Sequence, residues 1–218
     1  MSWRISLVLA LQLAVIAGAA VAGEDPDQAV QRCRQSDSDP RVWIETCTAA
    51  INSGRISDPH ALADLCGLLG FADINFALAT RGSFDQALAD LNKGLQLDPS
   101  DLVALNNRAN AYMYRGDYQL SLNDIDEVIR RVPSEGKPHG LRCVVLTKMG
   151  RATEGVPECQ IAIAMGSTEF WSYEQLGEAY EAVGDLANAA TAYRRSLELN
   201  PSFRDARDGL QRVLHPPV

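Results

Sequence analysis

A glycine recurs every 34 residues through the middle of this 218-residue chain, at Gly82, Gly116, Gly150 and Gly184. Apolar residues at helical spacing stand on both sides of each glycine, and three prolines keep the same phase, at Pro99, Pro133 and Pro201. A fixed period of this length, with a turn between two helical patterns, is typical of stacked helix pairs. One pair cannot bury its apolar face alone, so the period predicts an all-α array stabilised by contacts between neighbouring pairs.

The repeats share a pattern of large and small residues. The fourth is the most regular, with Tyr173, Leu176, Gly177, Tyr180, Gly184, Ala189, Tyr193, Ser196 and Pro201. The second keeps Ala109 and Tyr112, whereas the third, with His139, Cys143 and Cys159, departs furthest. The pattern resembles the tetratricopeptide repeat family, and the chain is similar to small periplasmic members from Gram-negative bacteria. The resemblance implies an α-solenoid in which small residues let paired helices approach closely and large residues fill the gaps.

We predict four parts from these patterns. Residues 1–22 form a signal peptide, 23–57 a helical hairpin (a cap or divergent half-repeat), 58–201 the repeat array, and 202–218 a capping helix and tail. The repeats fall at about 68–101, 102–135, 136–169 and 170–203. Asp39 and Pro40 predict the start of the hairpin's second helix, and Ser202 is expected to cap the last helix.

The first residues carry one positive charge at Arg4, then an apolar run that ends in Ala20-Val21-Ala22. This order predicts a secretory signal cleaved after Ala22 and a periplasmic or secreted protein. The alternative is an uncleaved N-terminal anchor with the chain facing the periplasm, because the run approaches the length that spans a bilayer. We expect no later segment to be apolar enough to enter a membrane.

Charge and motifs exclude several functions. The formal net charge of −8 argues against nucleic acid as a partner. There is no Cys-x-x-Cys pair and no phosphate-binding glycine loop. His60, His139 and His215 stand far apart in sequence, each in what we expect to be a surface or turn position. We therefore predict no enzyme, no metal site and no cofactor.

The five cysteines suggest two bridges in an exported protein. Cys33 and Cys47 lie on the two helices of the N-terminal hairpin and are candidates for one disulfide. Cys143 and Cys159 lie on facing helices of the weakest repeat, where a disulfide would offset the effect of Gly155 and Pro157. The alternative is a pair of reduced, buried thiols. Cys66 is left over and is expected to be buried and inert.

Two arginines are each followed by an acidic residue sixteen positions later: Arg108 by Asp124, and Arg142 by Glu158. In each repeat this separation places the base on the first helix near the acid on the second. We interpret both as structural ion pairs, each contributing at most about 1 kcal/mol where it is partly exposed.

The remaining candidate site is the concave surface that the first helices of the repeats form in this family. By resemblance, we expect a peptide-binding groove there that includes Phe76, Asn106, Asn110, Met113, Tyr114, Lys137, Lys148, Glu174 and Glu178. Asparagine amides can bond an extended backbone, and the apolar residues can hold side chains. Glu174 and Glu178 stand where a clamp for a terminal carboxylate needs positive charge, so a basic segment suits the groove better.

Two functions from different classes follow. The first is a non-catalytic adaptor or scaffold that holds a partner protein or its extended segment in the groove. The second is a self-associating structural array, with Phe203 and Leu210 of the last helix as contact points. Light scattering separates the two, since a concentration-independent monomer excludes self-stacking.

Overall fold

The computed structural model describes residues 26–35 and 39–215, so the predicted signal peptide and its cleavage site lie outside the described residues. All regular structure within these ranges is helical. The helices are α1 (Pro26–Arg34), α2 (Pro40–Asn52), α3 (Pro59–Thr80), α4 (Asp85–Leu97), α5 (Leu102–Arg115), α6 (Tyr118–Arg131), α7 (Gly136–Lys148), α8 (Ala152–Ala164), α9 (Phe170–Ala182), α10 (Leu186–Leu199) and α11 (Arg204–Leu214).

The chain divides into two compact units, Met1–Ala111 and Tyr112–Val218, with the boundary inside α5. The described part of the first unit holds α1 to α4 and most of α5. The second unit holds the end of α5 and α6 to α11. Because this boundary falls inside the second predicted repeat, it does not test the predicted domain and repeat limits, which stay a prediction.

The N-terminal hairpin of the first unit packs on the start of α3. Asp39 caps α2 as predicted, because its Oδ1 accepts a hydrogen bond from the Arg41 backbone N–H at 2.9 Å, and Pro40 occupies the first turn. The Trp43 indole donates to the Cys33 carbonyl at 2.7 Å and ties α2 to α1. The core that α1, α2 and α3 share consists of Cys33, Cys47, Ala50, Leu65 and Leu69.

Helix α3 corrects one expectation from the sequence. Its 22 residues have a mean hydropathy of 1.5 in the most apolar window, which is long and apolar enough to cross a membrane by composition. Half of that window is buried inside the unit. Leu65 and Leu69 face α1 and α2, while Gly70 lies against Leu91 of α4. The apolar character of α3 therefore follows from packing on two sides, as in a core helix.

Three of the four periodic glycines occupy the left-handed region that their turns require, with φ of 92° at Gly116, 75° at Gly150 and 81° at Gly184. In the first turn the left-handed residue is Arg81, with φ of 54°, and not Gly82. The Arg81 N–H and the Gly82 N–H both bond the Ala77 carbonyl, so the first turn closes one residue earlier than the period predicts.

The second unit closes around Tyr193 of α10, whose side chain is fully buried. Gly177 of α9 and Gly209 of α11 lie against its ring, and a Cβ atom on either would stand less than about 3 Å from ring atoms. The predicted capping helix is present as α11, but Ser202 does not cap it. Phe203 occupies the cap position without a side-chain bond, and the Ser202 hydroxyl instead donates to Asn200 Oδ1 at 2.8 Å.

Candidate functional site

One face of α3 is partly open at the surface of the first unit. Asp64, Leu68 and Phe71 follow one another at helical spacing and so share a face. Phe71 is 41% exposed, although its ring also makes an edge contact with Trp43 at a centroid distance of 5.8 Å. The Phe71 ring is thus in contact with Trp43 on one side and exposed to solvent on the other.

A cavity of about 320 Å³ lies between this stripe and the first turns of α5. We call it the first-unit cavity, and its lining residues are Asp64, Gly67, Leu68, Phe71, Asp101, Val103 and Asn107. Val103 is 68% exposed and supplies an aliphatic wall opposite α3. The lining therefore combines apolar surface with two carboxylates and one amide.

Asp101 is held rigidly at the edge of the first-unit cavity because it caps α5. Its Oδ1 accepts hydrogen bonds from the backbone N–H groups of Val103 at 2.9 Å and Ala104 at 3.0 Å. Its Oδ2 lies 3.6 Å from the position that a Cβ atom would take on Gly67. Oδ1 of Asp101 therefore caps α5, while Oδ2 lies on the side of α3.

The predicted groove residues of the first unit are only half-exposed. The Arg41 guanidinium lies over the Phe76 ring at 5.9 Å, so this ring already has a cationic neighbour within the chain. Asn110 donates from Nδ2 to the Asn106 carbonyl at 2.9 Å, one turn back on α5. Its amide therefore serves the helix itself, while Asn106 remains half-buried beside it.

The predicted residues of the second unit fall into two groups. Tyr114, Lys137, Lys148 and Glu178 are exposed. Met113, in contrast, is only 6% exposed and contributes to the core, which leaves a ligand almost none of its side chain. A side chain one residue away on a helix points about 100° further round, which is why Tyr114 is accessible and Met113 is not. Whether these residues bind a peptide stays a prediction.

Glu174 is a buried carboxyl group, 9% exposed, on the inner side of α9. Burial first, and then the negative charges of Glu178 and Asp205, raise the pKa of Glu174 to about 8, against an opposing effect of Lys148. Near neutral pH the Glu174 carboxyl group is therefore largely protonated.

A second buried carboxyl group, which sequence reasoning missed, lies in the first unit. Asp73 of α3 is 9% exposed, and burial together with the nearby Asp90 of α4 raises the pKa of Asp73 to about 7. No sequence pattern indicated this pair, because residues 17 positions apart meet only once α3 and α4 pack.

The predicted ion pair of the third repeat is present and includes a third member. Arg142 Nη1 lies 3.1 Å from Glu158 Oε1, and His139 Nδ1 lies 2.7 Å from Glu158 Oε2. The expectation that His139 occupies a surface or turn position is wrong, since it lies within α7 and is only 8% exposed. In the second repeat Arg108 bonds Asn92 Oδ1 at 2.8 Å, and its predicted pairing with Asp124 stays a prediction.

The cysteines meet as the sequence suggested. The Sγ atoms of Cys33 and Cys47 lie 1.98 Å apart and those of Cys143 and Cys159 lie 2.08 Å apart, which are disulfide distances. Cys66 is fully buried as expected, and burial raises the pKa of its thiol, which lowers its reactivity. Across the described ranges, no group of three or more His, Cys, Asp and Glu side chains has a geometry that would hold a metal ion.

The proposed contact points for self-association pack inward. Phe203 lies edge-on against Phe170 at a centroid distance of 4.7 Å, and both Phe203 and Leu210 pack on the core around Tyr193. Each side chain therefore retains only part of its surface for another copy.

The first-unit cavity is the part of the site that the sequence-based groove missed. The signal was present in the spacing of Asp64, Leu68 and Phe71 on α3 and of Val103 and Asn107 on α5. The groove was instead placed by the phase of the regular repeats. That phase fails in the first repeat, where α3 is extended toward the N-terminus and the first turn closes a residue early.

Comparison with known proteins confirms the repeat family that the sequence resembles. The family model described as tetratricopeptide repeat matches residues 171–203, which is the fourth predicted repeat. Stress-induced-phosphoprotein 1 of Caenorhabditis elegans is 26% identical over 108 residues, or 50% of this chain and 34% of that protein. Hsp70-Hsp90 organizing protein 2 of Arabidopsis thaliana is 23% identical over 130 residues, or 60% and 23%. The chain thus spans about a third or less of these relatives.

Solved structures confirm the fold class. A tetratricopeptide repeat protein from Parabacteroides merdae has a TM-score of 0.66 at 13% identity, covering 86% of this chain and 72% of that one. YrrB, described as having an unusual peptide-binding site, has a TM-score of 0.56 at 22% identity, covering 78% and 82%. The first such domain of Spaghetti (RPAP3), bound to the HSP90 peptide SRMEEVD, has a TM-score of 0.50 at 21% identity, covering 54% and 93%. The described residues are all-helical and resemble these tetratricopeptide repeat structures in fold.

Proposed function

We propose that this protein is a non-catalytic adaptor of the cell envelope that holds an extended segment of a partner protein against the first helices of its repeats. The observation that carries the proposal is the uncovered apolar surface on α3 and α5 of the first unit. Phe71 and Val103 are 41% and 68% exposed there. An exposed apolar patch with polar residues at its edge is typical of a protein-binding surface.

The envelope setting rests on two features of the chain. Residues 1–22 have the order of a secretory signal, which supports export to the periplasm or beyond, with an uncleaved N-terminal anchor as the alternative. Two cysteine pairs at disulfide distance fit an oxidising compartment, and we propose that both are disulfides in the native protein.

The charge of the chain indicates a different ligand from that in one structural relative. The peptide bound to Spaghetti (RPAP3) is SRMEEVD, which ends in acidic residues. In the chain described here Asp64 and Asp101 line the first-unit cavity. An acidic tail would meet repulsion at these positions, so the proposed partner segment is neutral or basic.

Affinity capture of envelope proteins with the purified chain tests the adaptor function. We expect a specific protein to be retained by the native chain and lost with Asn106→Ala, Asn110→Ala and Tyr114→Ala combined, since these side chains occupy one predicted binding surface. Far-UV circular dichroism checks that helicity is intact, and Asn123→Ala on α6 serves as a control. Retention of one protein by both chains would move the binding surface elsewhere. Retention of the chain's own copies alone would contradict the adaptor function and favour self-association.

A further inference from the structure

We propose that a second cavity, between α9 and α10 of the second unit, binds a proline-rich segment that carries an acidic residue beside its prolines. The cavity has a volume of about 440 Å³, and we call it the second-unit cavity. It shares no lining residue with the first-unit cavity. The inference therefore concerns a separate surface and does not rest on the proposed adaptor function.

One wall of the second-unit cavity is a stripe of α9 with two aromatic rings. Tyr173, Leu176 and Tyr180 line the cavity at the spacing of successive helical turns, and all three side chains are half-buried. The Tyr180 hydroxyl accepts a hydrogen bond from Gln160 Nε2 at 2.8 Å, and the Arg195 guanidinium lies 5.8 Å from the centre of the Tyr173 ring. Both rings are thus held in place before a ligand binds, which limits the conformational cost of binding.

The separation of the two tyrosines matches one turn of a polyproline II helix. The rise of an α-helix places Tyr180 about 10.5 Å along α9 from Tyr173. Three residues of polyproline II advance about 9.3 Å, so residues i and i+3 of such a segment can each lie against one ring. Side chains on the same face of a β-strand recur about every 6.7 Å, and neither one such step nor two fits the two rings as well. The groove therefore favours two prolines separated by two residues.

The acidic requirement follows from the charge of the opposite wall, where Arg194, Arg195 and Glu198 of α10 line the cavity. Arg195 Nη1 lies 2.7 Å from Glu198 Oε2, so these two charges compensate each other. Arg194 is exposed and, within the part of the chain that the structure describes, has no hydrogen bond or ion pair. The lining thus keeps one uncompensated positive charge in a chain of formal net charge −8. An acidic side chain of the ligand would pair with it.

The same wall offers hydrogen-bond donors for the backbone of the ligand. A polyproline II segment has no internal hydrogen bonds, so its carbonyl groups need donors from outside. Asn188 Nδ2 donates to Asp185 Oδ2 at 2.6 Å, which uses one of the two hydrogens of that amide group. The other hydrogen and the guanidinium of Arg194 can serve ligand carbonyls. A segment with prolines is already extended in this conformation, so little conformational entropy is lost on binding.

The test is isothermal titration of the full chain with three blocked peptides. The first has two prolines separated by two alanines and flanked on each side by glutamate. The second replaces both prolines by alanine, and the third replaces both glutamates by lysine. We expect the first peptide to bind at least about tenfold more tightly than either of the others. No binding of the first peptide, or an affinity equal to that of either other peptide, would overturn the proposal.

Two variants locate the binding, and far-UV circular dichroism checks that each keeps its helicity. Arg194→Gln should remove most of the preference for glutamate over lysine, with Arg204→Gln, exposed on α11 and outside the lining, as the charge-matched control. Thr191→Trp places a large ring in the cavity and should abolish binding of the first peptide. Its control is Thr80→Trp on α3, because both threonines are exposed and donate to the carbonyl four residues earlier. A glutamate preference that survives Arg194→Gln, or binding that survives Thr191→Trp, excludes the second-unit cavity as the site.

Discussion

The third and fourth helix pairs use different side chains at the same points of the repeat. In the fourth pair Gly177 and Tyr193 face each other, and the large ring lies on the small residue. One period of 34 residues earlier the same two positions hold Cys143 and Cys159, with their sulfur atoms 2.08 Å apart. In the fourth pair a large ring packs on a glycine, whereas in the third pair two small cysteine side chains stand at bonding distance. A repeat can therefore lose its consensus pattern and keep its helix pair.

The surroundings of the two pairs explain why the third needs other contacts. Helix α8 contains Pro157 in its interior, which removes one helical hydrogen bond. The third pair adds the buried contacts of Glu158 with His139 and Arg142. The fourth pair is instead joined to α11 through Glu181, which accepts from the Tyr193 hydroxyl at 2.7 Å and from Arg212 at 3.0 Å.

Substitution of Gly177, the small residue of the fourth pair, should have the largest effect on stability. In Gly177→Ala the new Cβ atom would stand 2.6 Å from Tyr193 Cε1, and Gly209 encloses the ring from the other side. We expect a loss of about 3 kcal/mol in the free energy of unfolding, measured by urea denaturation. Gly140→Ala in the third pair has room and should be stabilising by up to about 1 kcal/mol. Equal effects of the two substitutions would contradict the proposed packing difference.

Removal of the contact between Cys143 and Cys159 should destabilise the protein nearly as much. Cys143→Ala with Cys159→Ala should lower the free energy of unfolding by about 3 kcal/mol under oxidising conditions, because a disulfide over 16 residues restricts the unfolded chain. In dithiothreitol the native chain should fall to the level of the variant. A variant as stable as the oxidised native protein would mean that these cysteines contribute only as small apolar residues.

The buried ion contacts of the third pair should have an intermediate effect. Glu158→Gln weakens the hydrogen bonds that the Glu158 carboxylate forms with Arg142 and His139, and we expect a loss of about 2 kcal/mol in the free energy of unfolding because these bonds lie in a largely buried site. The control is Glu154→Gln on the same helix, whose contact with Arg151 is exposed and should contribute much less to stability. A Glu158→Gln effect no larger than the control would show that the buried contacts add nothing.

The fourth pair should also show a pH dependence of stability, which is small for each pH unit. Burial raises the pKa of Glu174 from 4.5 to about 8, so the native state holds this proton over a range in which the unfolded state has released it. Stability contributed by the protonated group is complete below the unfolded pKa and falls as pH rises toward 8, by at most about 1.4 kcal/mol per unit. Relative to the native chain, Glu174→Gln should gain stability as pH rises. Parallel pH profiles of the two chains would exclude a buried, protonated Glu174.

The regular elements of this chain could be predicted from the sequence, whereas the exposure of the side chains that line the candidate cavity could not. The start of α2 at Asp39 and Pro40, the three left-handed glycine turns and the meeting of Cys143 with Cys159 all depend on local rules or on the fixed period. Phe71 and Val103 differ, because exposure depends on which neighbours pack on each face. The same argument applies to Met113, whose burial no local pattern distinguished from the exposure of Tyr114.

The sequence by itself determined the class of fold, because a period of 34 residues and its turn glycines act within each repeat and recur in the same phase. Only the tertiary structure decided which buried groups are charged and which surface stays open. Asp73 meets Asp90, His139 meets Glu158, and α3 meets the start of α5 across distances that no spacing rule covers. The physical reason is that pKa values and exposed apolar area depend on the atoms packed around a side chain, and these come from several helices at once.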